Sequence, residues 1–139
     1  MVDAGVRGIV SAAFSYGFRK EELQNLLCRQ VNFADKNLHL YQGTAKNSQP
    51  RKVVLDSASL EEIKEAARGK GPDDYVFTWT TGNKKGKHIR DFRTSWNTAC
   101  EAAKLPQLLF HDLRRSAVGR MVRRGVPATR CRAYLRTFD

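Results

Sequence analysis

Hydrophobic positions recur at helical spacing near the start of the chain, where Val6, Ile9, Val10, Ala13 and Phe14 follow the i, i+3, i+4, i+7, i+8 rule. Asp3 stands where an N-cap belongs and Gly17 where a helix stops, so the spacing predicts a first amphipathic helix. A second helical run covers residues 19–30, with Leu23, Leu26 and Leu27 on one face. Extended backwards by four residues, that stripe lands on Arg19. The period then changes. Residues 31–33, 38–41 and 52–55 are short β-type runs, separated by turn formers at 35–37 and 43–50. They predict a small antiparallel three-stranded sheet with Lys46 at the tip of its second turn.

Ser59-Leu-Glu-Glu62 reads as a capping box, and Leu60, Ile63, Ala66 and Ala67 supply the apolar stripe of a helix over about 58–68 that Gly69 ends. Residues 75–79 have the composition of a short strand, and 81–87 form a basic loop. Ile89, Phe92, Trp96, Ala99, Cys100 and Ala103 mark one face of a long helix closing before Pro106. The last helix runs over about 111–124, with Gly125 and Pro127 behind it. The fold class expected is α+β, a mainly helical domain with a small three-stranded antiparallel sheet.

Length and composition narrow this further. A chain of 139 residues with 41% hydrophobic content buries one core, and neither an internal repeat nor a long linker divides it. Lys plus Arg number 25 against 14 Asp plus Glu, a net charge of +11. The excess is uneven, +3 over residues 1–70 and +8 over residues 71–139. Such a balance points to an anionic partner, nucleic acid first. No apolar run approaches the ~18 residues of a membrane span, and no charged and apolar leader pattern follows Met1, so a cytoplasmic, nucleoid-associated protein without membrane contact is expected. Cys28, Cys100 and Cys131 are odd in number, far apart and without C-x-x-C spacing, which fits reduced thiols better than disulfides or zinc. No Asp/Glu/His cluster stands at ligand spacing and Asp73-Asp74 reads as a turn, so neither a metal, a cofactor nor a small-molecule substrate is expected.

The last helix carries the first unusual feature. Its apolar stripe is Leu113, Ala117, Val118 and Met121, and Arg114 falls inside it. An arginine therefore faces inward, while Arg115, Arg120, Arg123 and Arg124 read as a solvated basic face. His111 lies one turn before Arg114, so imidazole and guanidinium project from one side of the helix near its N-terminus, where an anion is favoured. Arg19 repeats the oddity at the start of the second helix, with Glu22 three residues on as an ion-pair candidate. Buried charge is costly unless paired, so two inward arginines imply either salt bridges or a shared anionic ligand.

These residues lie in boxes that resemble those of the tyrosine recombinases, the phage integrases. Tyr16-Gly-Phe-Arg-Lys-Glu-Glu-Leu23 is similar to the T-G-L-R-x-x-E-L box, and Phe110-His-Asp-Leu-Arg-Arg-Ser-Ala117 to the H-x-L-R-R/H-x-x-A box. Gly43-Thr-Ala-Lys-Asn-Ser-Gln-Pro-Arg-Lys-Val-Val-Leu55 resembles the family's β-hairpin lysine segment, and Met121-Val-Arg-Arg-Gly-Val-Pro127 the turn after the second box. The resemblance covers about residues 5–128. It implies that Arg19 and Arg114 hold the scissile phosphate, that Lys46 is the general acid toward the leaving 5′ oxygen, that His111 is an acid–base partner, and that Glu22 buttresses the first arginine. The partner it implies is double-stranded DNA, with assembly into homo-oligomers on DNA, in recombination or integration of mobile elements. Lys84, Lys85, Lys87 and Arg115 are expected to add DNA contacts.

The resemblance breaks after Pro127. Family members continue into a helix, a Gly-His or Gly-Trp pair and a nucleophilic tyrosine, whereas residues 128–139 hold no Gly-His and place Arg130, Arg132 and Arg136 where a core-facing helix wants apolar residues. Tyr134 is the nearest tyrosine, a weak candidate that precedes the expected position and lacks the histidine before it. Residues 1–139 are accordingly expected to form one incomplete catalytic-type domain, without an N-terminal core-binding domain and inactive alone. A non-catalytic DNA-binding remnant or regulator is the alternative; a basic RNA-binding module is another, but it leaves Arg19 and Arg114 unexplained.

Overall fold

The computed structural model describes residues 3–40, 51–105 and 108–125. The expected turn at 43–50 with Lys46, and Tyr134 and Cys131, lie outside the described residues.

Helix α1 spans Ala4–Tyr16, and both its predicted ends hold. The Asp3 carboxylate accepts the Gly5 N–H at 2.8 Å, and Gly17 closes the helix in the left-handed region with φ 75°. Its buried face is Gly5, Val6, Ile9, Ala12 and Ala13. Phe14, expected in the core, is 46% exposed. The Arg120 guanidinium lies 3.9 Å from the centre of its ring and also donates to the Phe14 carbonyl, so a cation covers the ring from the solvent side. Arg120 is thereby half-buried and not the freely solvated residue that its place on the wheel predicts.

The second helix is far shorter than its hydrophobic run. Helix α2 is Lys20–Gln24, followed by a 3₁₀ turn at Cys28–Gln30. Tertiary pairing overrides the periodicity: Leu27 forms an antiparallel bridge with Tyr75, the Cys28 N–H donates to the Asp74 carbonyl at 2.9 Å, and the Gln30 side chain accepts the Leu27 N–H at 2.9 Å. The buried Gln24 amide donates to the carbonyls of Ile89 and Arg90, fixing where α2 ends.

Strands β1 Val31–Asn32, β2 Asn37–Leu40 and β3 Arg51–Val54 make the expected sheet, antiparallel in the order β1-β2-β3. Val31 pairs with Leu38, and Leu38 with Val53. Helix α3 spans Ser57–Ala66. Its cap is Asp56, which accepts the Ser59 N–H at 2.7 Å, and not Ser59 itself. Residues 75–79 form no strand of the sheet; they make isolated bridges, Leu27 with Tyr75 and Thr78 with His88. Helix α4, Arg93–Ala102, starts after Ile89 and Phe92, which are buried in the segment leading into it. Helix α5 spans His111–Arg123.

The core is continuous, running from Val6, Ile9 and Ala13 through Phe18, Leu23 and Leu26 to Leu38, Val53, Ile63, Phe77 and Leu113. Each such large side chain withdrawn from water contributes about 1.5–3 kcal/mol. Gly5 lets α1 sit on the segment beside it, since a Cβ there would lie 2.1 Å from the Thr78 carbonyl oxygen.

Candidate phosphate site

The site forms where the link between α1 and α2 meets α5. Gly17 turns the chain with positive φ, and Phe18 rather than Arg19 then takes the buried place. Arg19 precedes α2 in extended conformation, φ −72° and ψ 150°, and is half-buried. Its backbone N–H donates to Glu22 Oε1 at 2.8 Å, so the glutamate steadies the main chain that carries the arginine. A Cβ on Gly17 would stand 3.4 Å from the Ala117 Cβ and 3.5 Å from the Arg114 Cγ. That is ordinary contact; the left-handed backbone, not space, demands glycine here.

Arg114 is only 3% exposed. The helical stripe that placed it inward is observed, with Leu113 and Ala117 buried beside it and Val118 and Met121 half-buried. The start of α5 is wedged by Phe110, whose ring meets Phe92 and Trp96 edge-on at 5.6 and 5.4 Å. The Trp96 indole N–H also donates to the Leu108 carbonyl at 3.1 Å. His111, the first residue after this wedge, is exposed.

Phe18, Arg19, Lys20, Glu21, Phe110, His111 and Arg114 line one cavity of about 360 Å³. Two boxes remote in sequence thus share one concavity, with cations predominating and aromatic rings among its walls. Guanidinium groups present planar forks matched to phosphate oxygens, and an imidazole supplies a further donor or acceptor. Lys20 and Glu21 went unnoticed in the sequence, although their place directly after Arg19 in the first box is a signal. No tyrosine stands among the described residues of the cavity wall.

The other expected contacts lie elsewhere. Arg115 is exposed and 3.4 Å from Asp112, a surface pair of small worth. Lys84, Lys85 and Lys87 are exposed in a loop stitched to itself by Gly86 N–H to Trp79 carbonyl at 2.7 Å and Lys87 N–H to Lys84 carbonyl at 2.8 Å. Asp73 and Asp74 do sit in a turn, Asp74 accepting the Gly71 N–H at 2.7 Å and Asp73 pairing with Arg29. A larger cavity of about 800 Å³ opens between α1, α3 and residues 76–86. Glu61, Glu62 and Glu65 line it together with Arg7, Lys70 and Lys85, so acidic and basic side chains balance there, whereas cations predominate around Arg19 and Arg114. Burial raises the pKa of both Cys28 and Cys100, which keeps these thiols protonated and weakly nucleophilic.

The sequence profile of the phage integrase family matches residues 3–135. The chain belongs to the phage integrase family. The integrase of Salmonella phage P22 is 23% identical over 129 residues, a match that covers 88% of this chain and 33% of that integrase. The fold is that of solved tyrosine recombinases. XerA recombinase superposes with a TM-score of 0.71 at 18% identity, covering 96% of this chain and 48% of the other. The Tn1549 transposon integrase in complex with circular intermediate DNA gives 0.71 at 10% identity, covering 94% and 49%. The same integrase with transposon right-end DNA gives 0.71 at 12%, covering 97% and 51%. This phage integrase family chain therefore spans about a third of the length of the curated relative and about half of those structures. Among its described residues no helix is long and apolar enough to cross a membrane.

Proposed function

We propose that this chain is a DNA-binding, catalytic-type domain of a site-specific tyrosine recombinase, and that the cavity of Arg19, His111 and Arg114 receives one phosphate of duplex DNA. The observation that carries the reading is the buried Arg114, which lines one concavity with a second arginine from a distant box. In-line attack on a phosphodiester gathers charge on the non-bridging oxygens, and two guanidinium forks stabilise it where water is partly excluded. In this reading Arg19 and Arg114 hold the phosphate, His111 exchanges a proton with the reacting oxygens, and Lys46 protonates the leaving 5′ oxygen. Glu22 holds Arg19 in place. Lys84, Lys85, Lys87 and Arg115 touch flanking phosphates. The protein acts in the cytoplasm on DNA of a mobile element and assembles with further copies there.

Titration of labelled duplex at several salt concentrations tests the reading. Affinity is expected to fall with a log–log slope of about 0.9 per phosphate contact. A flat salt response, or preference for single-stranded RNA, overturns it.

In this reading Tyr134, which no Gly-His pair precedes, is not the nucleophile, and binding without cleavage is expected of residues 1–139 assayed alone. A phenol attacks phosphate only when positioned in line and relieved of its proton, and clamp residues do not replace it. Incubation with a nicked suicide duplex is expected to leave no denaturation-resistant adduct. An adduct that disappears in Tyr134→Phe reverses this and makes Tyr134 the nucleophile.

A further inference from the structure

Asp3 does more than cap a helix. Its Oδ1 accepts the Gly5 N–H at 2.8 Å, as a cap should, but the carboxylate also accepts the Thr80 N–H at 3.0 Å, the Thr81 N–H at 3.1 Å and the Thr81 hydroxyl at 2.9 Å. Asp56, the cap of α3, differs in where its partners lie: it takes the Ser59 N–H at 2.7 Å and otherwise meets Ala58, the Ser59 hydroxyl and Tyr16, at its own helix start or on α1 and not on the basic loop. The additional partners of Asp3 all sit at the root of the basic loop, immediately before the segment that carries Lys84, Lys85 and Lys87. Burial works against the charged carboxylate, but the N–H groups of Gly5 and Thr80 and the Thr81 hydroxyl outweigh it and hold its pKa below the usual range.

The loop is internally tied, by Lys85 N–H to Gly82 carbonyl at 3.2 Å, Trp79 N–H to Lys87 carbonyl at 3.1 Å, and the Thr78–His88 bridge. It is thus a preformed unit that needs seating. Two features seat it on α1. Gly5 admits the Thr78 carbonyl against the helix, and Asp3 holds Thr80 and Thr81 at the helix start.

We propose that Asp3 is a positioning residue for DNA binding: it seats the 81–87 loop on α1 so that Lys84, Lys85 and Lys87 meet the duplex backbone as one set of cations. The proposal rests on the reading of that loop as a DNA contact. Its sign is distinctive. A carboxylate at the root of a lysine-bearing loop weakens the pull of that loop on DNA by simple electrostatics, so its removal should tighten binding. Seating predicts the reverse, because lysines on an unseated loop lose ordering entropy for each phosphate they meet.

The experiment is salt-resolved titration of the 139-residue chain with a fluorescein-labelled duplex of mixed sequence. Asp3→Asn is expected to bind about threefold to tenfold more weakly at low salt, with a salt slope shallower by the equivalent of roughly one or two neutralised phosphates. In the background of Lys84→Ala, Lys85→Ala and Lys87→Ala together, Asp3→Asn is expected to change nothing further. Asp56→Ala, which removes a cap remote from the loop, controls for reduced helix stability and should leave the slope unchanged. Equal or tighter binding by Asp3→Asn, when the triple lysine variant binds weakly, overturns the seating role alone. Undiminished binding by the triple lysine variant overturns the loop's role in binding, and the proposal with it. Should Asp3→Asn fail to fold, Thr81→Val removes one partner from the loop side and leaves the cap intact; weaker binding supports the proposal and unchanged binding overturns it.

Discussion

Arg114 and the lysines of the 81–87 loop are both cations of a basic chain, yet they occupy opposite environments. Arg114 is 3% exposed, held in α5 among Leu113, Ala117 and the α1–α2 turn. Lys84, Lys85 and Lys87 are exposed on a short loop. Salt reaches the second group freely and the first poorly, because screening acts through water over a Debye length of about 8–10 Å. The buried cation is suited to hold one phosphate in one geometry. The exposed ones are suited to attract a polyanion from any direction and to be replaced by one another.

The sharpest way to break this comparison is Arg114→Ala. Removing a charge-assisted hydrogen bond in a partly dry cavity costs about 1.5–3 kcal/mol, a tenfold to hundredfold weaker hold on DNA, and the weakening should persist at high salt. Arg114→Lys should recover little of it, since a point charge does not replace a planar fork. Titration at low and high salt checks both, and a weakening that salt erases would put Arg114 in the same class as the loop. The triple lysine substitution should weaken binding strongly at low salt and hardly at high salt, lowering the log–log slope by about 0.9 for each phosphate that is no longer neutralised, with unfolding in urea unchanged. Gly17→Ala tests the frame behind the fixed charge: an L-residue forced left-handed costs roughly 1–2 kcal/mol, read as a lower urea midpoint at unchanged m-value. Arg115→Ala should do least, within about 0.5 kcal/mol of the parent stability, with a small drop in affinity that salt removes. If Arg115→Ala and Arg114→Ala give the same small, screened drop, the distinction between the regions falls.

The same contrast explains what the sequence made legible. Arg114 stood out because helical periodicity is a local rule and an arginine in an apolar stripe violates it visibly. The ends of α1 and α5 and the sheet order were legible for the same reason. Helix α2 was not, because its true end at Gln24 depends on Ile89, Arg90 and Tyr75, partners more than forty positions away. Phe14 misled in the opposite sense: its spacing is right for the core, and only the arrival of Arg120 shows that a cation serves as its cover. The capping box at Ser59 failed by one turn, as Asp56 offered an acceptor at the same N–H. Helix geometry joined His111 to Arg114, and the cost of buried charge left salt bridges or a shared ligand open for Arg19 and Arg114; the resemblance chose the shared ligand, since no local rule joins two boxes across the chain.

That separation has a consequence in time. Arg19 and Arg114 stand 95 positions apart, and the left-handed turn at Gly17 meets Ala117 and Arg114 only once α5 exists. At a ribosomal rate of about 5–20 residues per second, roughly 5–20 seconds pass between synthesis of the first arginine and of the second. Throughout that interval the nascent chain carries half of an anion site and cannot grip a phosphate with both forks. The cavity comes into being as a late event of synthesis, after the sheet and α3 have left the ribosome.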